Sequence, residues 1–532
     1  MDAGGREAAE DGTDPRVWLL ATAGALAVLV ANIGGIAAGD DGVGYRAIAD
    51  SLLRGDGLGY FLERPLTVWP PLWPALMAGI AKVTPLDPMG AAVLLNTVTT
   101  FVAVLVAHRL LRRCVRDGRL VLLGTAVVAL GGSTVGFGHL LMTDFAFGVV
   151  VMCWLLALMN FRESGRTSWL LGAATLVWLG FGLRYVAIVL VGTGGLWLLL
   201  DGGRADAATR RFALRLRDGV AYGAVAVAVP VLWMLRNRAE DGTLLGPRYA
   251  SARGPVDNAF DILATMGRFL LPGVGNGFTK VWAAVGLVVL VAAAFLAHRV
   301  LAARAAAGDG GTLAQSWRLL GGQSGLLLLA AGLYLLYMLY IRSTTALNQL
   351  DLRLLNPAYL PLLVLGLVLV DRTEELPPPG RNPWWRRSYV AAMVWGGANV
   401  AAGLVAVVLF ATGNPYFTGN YESDTFDRVR ADAALDRIPS DCRVVSNLPN
   451  ALYPEVEAQW SPRRTGLESD ERTDDLERLL PTLGARPTCL VWVDEDPTYG
   501  HLWTLQQLRE KVDLRQVAAD GDVTVYVMAP RS

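Results

Sequence analysis

The 532-residue chain carries little charge, with Asp, Glu, Lys and Arg making up only 18% of it, against about a quarter in an ordinary soluble domain. That shortage argues against a cytosolic enzyme. Lysine is nearly missing: only Lys82, Lys280 and Lys511 occur, so 44 of the 47 basic residues are arginine. Acidic residues also number 47, and a net charge of zero removes the electrostatic case for a nucleic-acid partner. Four cysteines (Cys114, Cys153, Cys442, Cys489) show no C-x-x-C spacing, which excludes a zinc ribbon or dithiol redox motif. Histidine is equally scarce, with His108, His139, His298 and His501, so a multi-histidine zinc site is disfavoured.

Long apolar runs take the place of charge, since 53% of the residues are hydrophobic. A bilayer-crossing helix needs about 20 residues. Eleven spans are predicted, near 17–38, 88–108, 120–137, 141–160, 168–183, 185–200, 219–235, 279–298, 322–341, 355–370 and 389–411. Only Arg184-Tyr185 separates the fifth from the sixth, and 70–84 reads as interfacial or re-entrant. The positive-inside rule orients them. With the N-terminus inside, the cytoplasmic connections hold 21 arginines, including Arg109, Arg112, Arg113, Arg116 and Arg119 and the groups 204–217 and 372–387. The opposite side holds about half as many before residue 412. The chain therefore divides into a cytoplasmic tail 1–16, a transmembrane domain 17–411 and an extracytoplasmic segment 412–532. The first span reads as a signal-anchor in the plasma membrane.

Residues 412–532 hold 13 basic and 21 acidic side chains, net −8, so the first 411 residues carry +8. Short β-rich runs (Arg443–Ser446, Leu490–Val493, Val523–Val527) alternate with a helical pattern from Leu502 to Val512. The expected fold is a mainly α, polytopic helical bundle of about 11 spans with a small C-terminal extracytoplasmic α/β domain. Cys442 and Cys489 each precede one of its strands; they are either a disulfide between neighbouring strands or two separate buried thiols. The acidic run Glu468 to Glu477 reads as a solvated helix face.

The outer loops carry the chemistry. The first opens Gly39-Asp40-Asp41-Gly42-Val43-Gly44-Tyr45, continues as an amphipathic stretch, passes Gly55-Asp56-Gly57 and reaches Trp69-Pro70-Pro71-Leu72-Trp73-Pro74. Two carboxylates at the end of a membrane helix are either solvated or used. A helix here puts Asp41 and Tyr45 on one face, and the Tyr45, Ile48, Leu52 pattern suits a helix lying in the interface. Trp69 and Trp73 read as headgroup anchors. The second loop carries His139 and Thr143-Asp144, where Asp144 is either a helix cap or a site residue. Arg184 interrupts an apolar stretch and must snorkel or pair with an anion. Arg353 stands in Asp351-Leu352-Arg353-Leu354-Leu355-Asn356-Pro357 at the start of the tenth span.

An acid after the first span with an aromatic four positions later, an amphipathic helix, Gly-x-Gly and Pro-Pro-x-aromatic-Pro resemble the GT-C glycosyltransferase superfamily. The chain looks closest to its protein O-mannosyltransferase and aminoarabinose-transferase-like branch. The resemblance implies an integral-membrane, inverting transfer of a sugar from a polyprenyl-phosphate donor to an acceptor hydroxyl on the outer face. Carried over by motif, it makes Asp41 the base, gives Arg353 and Arg184 the donor phosphate, and leaves Asp40 and Asp144 to position the acceptor or a metal. Asp40, Asp41 and Asp144 are thus the candidate ligands of a divalent cation (Mg, Mn or Ca), the other reading being no cofactor. The expected partners are the lipid-linked sugar, membrane lipid and a glycan, lipid or protein acceptor. Val444 to Tyr453 resembles the strand-then-Ser-Asn-x-Pro segment that follows the last span in bacterial members, implying acceptor binding or a structural cap. The rival functions are a transporter or flippase of lipid-linked glycans, against which stands the lack of a visible repeat, and a polymerase or ligase working through arginines.

Overall fold

A computed structural model describes residues 14–61, 64–200, 212–248, 250–251, 253–270, 277–306, 322–376, 383–413, 421, 423–462, 475–483, 486–494 and 502–531. Outside these lie Arg6, Arg204, Arg210, Arg211, Arg318 and Arg381 of the cytoplasmic count, His501, and all but the last residues of the acidic run.

Helix starts follow the local sequence. Helix α1 (Pro15–Ala31) has proline in its first turn and an Asp14 cap that accepts from the Arg16 amide. The first loop holds α2 (Asp40–Arg54), an antiparallel pair of two-residue strands, β1 (Gly59–Tyr60) and β2 (Arg64–Pro65), and α3 (Leu72–Val83). Helix α4 (Pro88–Cys114) repeats the proline-and-aspartate start, with the Asp87 carboxylate accepting from the Gly90 amide. The bundle continues through α5 (Gly118–Leu130), α6 (Gly132–Gly138), α7 (Asp144–Ser164), α8 (Thr167–Leu183), α9 (Ile188–Leu199) and α10 (Phe212–Asp241). It is completed by α11 (Pro255–Arg268), α12 (Thr279–Ala306), α13 (Gln323–Thr344), α14 (Leu352–Arg372) and α15 (Pro383–Ala411).

Among the described residues eight helices are long and apolar enough to cross a membrane, and α1, α3, α8 and 185–199 are shorter apolar helices. The chain is a multi-pass membrane protein. Its central helices are α7, α14 and the α5–α6 pair, which is interrupted at Gly131, each largely buried, while α12 and α15 turn most of their surface outward. Val288, Val291, Val394, Val405 and Val408 accordingly stand exposed, as lipid-facing residues do. Glycine sets the closest helix crossings: a methyl group on Gly403 of α15 would lie 1.8 Å from the Leu130 carbonyl oxygen of α5, and one on Gly286 of α12 would lie 2.0 Å from the Leu263 carbonyl oxygen of α11.

Several boundaries differ from the sequence reading. The first span ends at Ala31, not 38, because Asn32–Gly35 turns the chain and Ala37 bridges to Leu140. Arg184 does separate two helices: it caps α8 in extended conformation, and a single 3-10 turn leads into α9. The amphipathic stretch of the first loop is α2, but Tyr45 and Ile48 are buried in the core. This helix is covered by protein and does not lie bare in the interface.

Beyond α15 a five-stranded mixed sheet forms in the order β4-β3-β5-β7-β6, from β3 (Arg443–Ser446), β4 (Gln459–Trp460), β5 (Thr488–Val493), β6 (Val512–Asp520) and β7 (Val523–Pro530). β3 pairs in parallel with β4 and β5, and β7 runs antiparallel between β5 and β6. Alternating residues feed two cores: Val491 and Val525 pack on one face, Leu490 and Tyr526 on the other. The adjacency of β3 and β5 resolves the cysteine question, since Cys442 and Cys489 form a disulfide. The helical pattern after Leu502 is α-helical only over Leu505–Lys511 and gives way to β6.

Candidate functional site

Three helix starts face the same side of the bundle. The start of α2 carries Asp40 and Asp41, that of α7 carries Asp144, and α14 carries Arg353 behind an Asp351 cap that accepts from the Leu354 amide. Unpaired amides and the helix dipole make such starts favourable for negative groups. Asp144 sits in the first turn of α7 behind Thr143, which makes no capping bond, so its carboxylate is not spent as a helix cap.

Two ion pairs hold the site together. Arg353 Nη1 lies 3.1 Å from Asp41 Oδ2, joining the first and tenth predicted spans across 312 residues of sequence. Arg184 Nη1 lies 2.8 Å from Asp144 Oδ2, with the aspartate wholly buried and the arginine one-fifth exposed. Asp144 also lies within electrostatic reach of Arg353. Tyr45 sits beside the pairs, four residues beyond Asp41 on α2, within electrostatic reach of Asp41, Arg184 and Asp144. Burial first, and then the charge of Asp41, push its phenol above the ordinary range, so it remains a neutral hydrogen-bonding group. The spacing Asp41-x-x-x-Tyr45 thus becomes one helical face turned to one site.

Sequence reasoning missed the other ligand of Asp41. Trp69 Nε1 donates to Asp41 Oδ1 at 3.1 Å, so each carboxylate oxygen has its own donor. Trp69 is half-buried against Tyr45 and Tyr60, and Trp73 is fully buried, which removes both from the role of headgroup anchor. The segment is fixed from behind: the Tyr185 hydroxyl donates to the Thr67 carbonyl at 2.8 Å and accepts from Trp233 Nε1 at 2.9 Å, while Arg236 donates to the Leu66 carbonyl. The signal was present in Pro70-Pro71, which stiffens the chain beside Trp69, but a hydrogen-bond partner 28 residues away is invisible to pattern.

Asp40 turns elsewhere. Its carboxylate accepts from Asn450 Nδ2 at 2.5 Å, at the start of the short helix Pro449–Leu452. The Ser446-Asn447-x-Pro449 segment therefore seats the C-terminal domain on the helix that carries Asp41. Tyr453 donates to Asp50, and Arg46 donates to the Tyr421 hydroxyl at 2.7 Å along the same helix. His139 stacks on Phe410 at 4.2 Å between ring centres, with Nδ1 3.2 Å from Asn32 Oδ1, which is a packing arrangement.

The metal reading meets a poor fit. Among the described residues no three His, Cys, Asp or Glu side chains are grouped to hold an ion. Asp41 and Asp144 each face an arginine and Asp40 faces Asn450, so the three candidate ligands do not converge.

The chain was compared with known proteins. No protein-family model and no curated protein sequence matches it. Solved structures do match. The chain is similar to the crystal structure of ArnT from Cupriavidus metallidurans bound to undecaprenyl phosphate, with 13% identity, a TM-score of 0.54 and 96% and 97% of the two chains covered. Against the apo state of that protein the values are 12% and 0.56, with the same coverage. The Archaeoglobus fulgidus oligosaccharyltransferase in complex with Zn and sulfate matches at 12% identity and a TM-score of 0.47, over 82% of this chain and 60% of that one. The chain thus shares the fold of ArnT over nearly its whole length.

Proposed function

We propose that the protein is an integral-membrane, inverting glycosyltransferase that moves a sugar from a polyprenyl-phosphate donor to an acceptor hydroxyl on the outer face of the membrane. The observation that carries this reading is the Asp41–Arg353 pair, a candidate base and a candidate phosphate ligand in contact at one site. The fold shared with a protein crystallised with undecaprenyl phosphate supports the donor class.

Each residue has a chemical task in this reading. Arg353 offers a guanidinium fork to the phosphate, and Arg184, aimed by the buried Asp144, supplies a second cation. As the anomeric carbon–oxygen bond breaks, the electron pair stays on the phosphate oxygen, and these fixed charges stabilise it without protonation. Asp41 takes the proton of the acceptor hydroxyl while its oxygen bonds to the anomeric carbon from the opposite face, which inverts the configuration. Asp40 acts one step away, seating the outer domain through Asn450. No step is routed through a metal, because Asp40, Asp41 and Asp144 turn to other partners and no cation-holding group is found among the described residues. The domain division in this reading is the cytoplasmic tail 1–16, the transmembrane catalytic domain 17–411 and the extracytoplasmic domain 412–532.

The test is a transfer assay with the purified protein and a panel of radiolabelled polyprenyl-phosphate sugars. Wild type transfers one of them, and a folded Asp41→Asn variant loses about 100-fold or more, the scale of general-base catalysis. Full transfer by that variant removes Asp41 as the base and favours a ligase working through arginines. Movement of an intact lipid-linked glycan across vesicles without transfer favours a flippase.

A further inference from the structure

The tryptophan beside the proposed base has no assigned task, yet it is built in with care. Its indole N–H meets Asp41 Oδ1 at 3.1 Å while Arg353 holds the other oxygen. Its ring lies edge-on to Tyr45 and Tyr60, with centroids 6.0 and 5.3 Å away. The approach depends on Gly44 of α2: a methyl group there would sit 2.7 Å from the Trp69 Cη2, closer than side chains tolerate. Gly44 is thus a notch through which the indole reaches a carboxylate on the same helix.

We propose that Trp69 is a positioning residue for Asp41, holding the carboxylate toward the acceptor hydroxyl, with Gly44 as the notch that admits it. The inference rests on the glycosyltransferase reading above. A phosphate gripped by Arg353 draws that guanidinium away from full engagement with Asp41, and the Trp69 N–H then remains as the fixed donor on the carboxylate. The indole nitrogen has no bond to Arg353 or Arg184, so its loss changes the aim of the base and not the grip on the donor.

The experiment measures kcat and donor KM for wild type, Trp69→Phe and Gly44→Ala. Phenylalanine keeps an aromatic ring at this position and loses the N–H; alanine keeps the N–H and pushes the ring out of place. Both are expected to lower kcat by about tenfold or more, the worth of a hydrogen bond to a charged group, with donor KM within about twofold of wild type. A folded Trp69→Phe enzyme with wild-type kcat, or one that keeps kcat and raises KM, overturns the proposal. If that variant does not fold, Gly44→Ala decides by the same criterion, and a full rate in it overturns the proposal too. Absence of transfer by the wild type across the donor panel is a separate result, which removes the reaction itself and this role with it.

Discussion

At the scale of single residues, the two ion pairs differ in what they risk. Asp41 is one-third exposed and shares its charge with Arg353 and Trp69, so replacing one partner leaves it others. Asp144 is wholly buried and pairs with Arg184. Removing one member of a buried pair leaves an uncompensated charge and costs about 3–5 kcal/mol. Arg184→Gln is therefore expected to lower the thermal unfolding temperature in detergent sharply, and adding Asp144→Asn to recover much of the loss. Equal melting of wild type and Arg184→Gln would show that the pair is not a structural necessity. Arg353→Gln is expected instead to raise donor KM more than it lowers stability, measured by the same melting curve beside a donor titration. Asp41, Asp144, Arg184 and Arg353 were legible because a charged residue next to an apolar run asks for a reason. Trp69 and Asn450 were not, because each is an ordinary residue in its own segment and acquires its role from a partner brought up by the fold.

Among the elements, legibility follows periodicity. The strands β3, β5 and β7 alternate or run apolar, and their sequences show it. β6 is an edge strand whose side chains are mostly exposed, so nothing in Asp513 to Asp520 marks it, and the helical reading of the preceding residues ran up to its start. The β3–β5 pairing could not be read from sequence either, and with it the Cys442–Cys489 bond. That bond joins two buried parallel strands directly ahead of the Asn447–Tyr453 segment that rests on α2. Replacing both cysteines by serine is expected to cost about 2–4 kcal/mol in the C-terminal domain, seen as faster proteolysis of residues 423–531. Unchanged proteolysis would mean that the sheet holds without it.

Over the whole molecule, hydropathy found the bundle and overestimated its first helix. The span expected at 17–38 is α1, which ends at Ala31 because a turn cuts apolar sequence that continues beyond it, while the fifth and sixth expected spans match α8 and the 185–199 segment to within a residue on either side of Arg184. Orientation follows from arginine distribution in our reading. A single cysteine at Val517, exposed on β6, is expected to react with a membrane-impermeant maleimide on intact cells, and one at the exposed Arg166 only after permeabilisation. The reverse pattern would place the site on the cytoplasmic face and remove the outer-face reaction. The fold itself brings Asp41 from the first loop, Arg184 from the middle of the bundle and Arg353 from the tenth span to one side, and closes the α2 helix under the C-terminal domain through Asp40 and Asn450. The claim that unites these scales is a direct displacement at the anomeric carbon with Asp41 as base. It is tested most directly by NMR of the anomeric centre in the product of a transfer reaction whose donor configuration is known. The account predicts the inverted configuration; a retained one would require an intermediate that this arrangement does not provide and would contradict it.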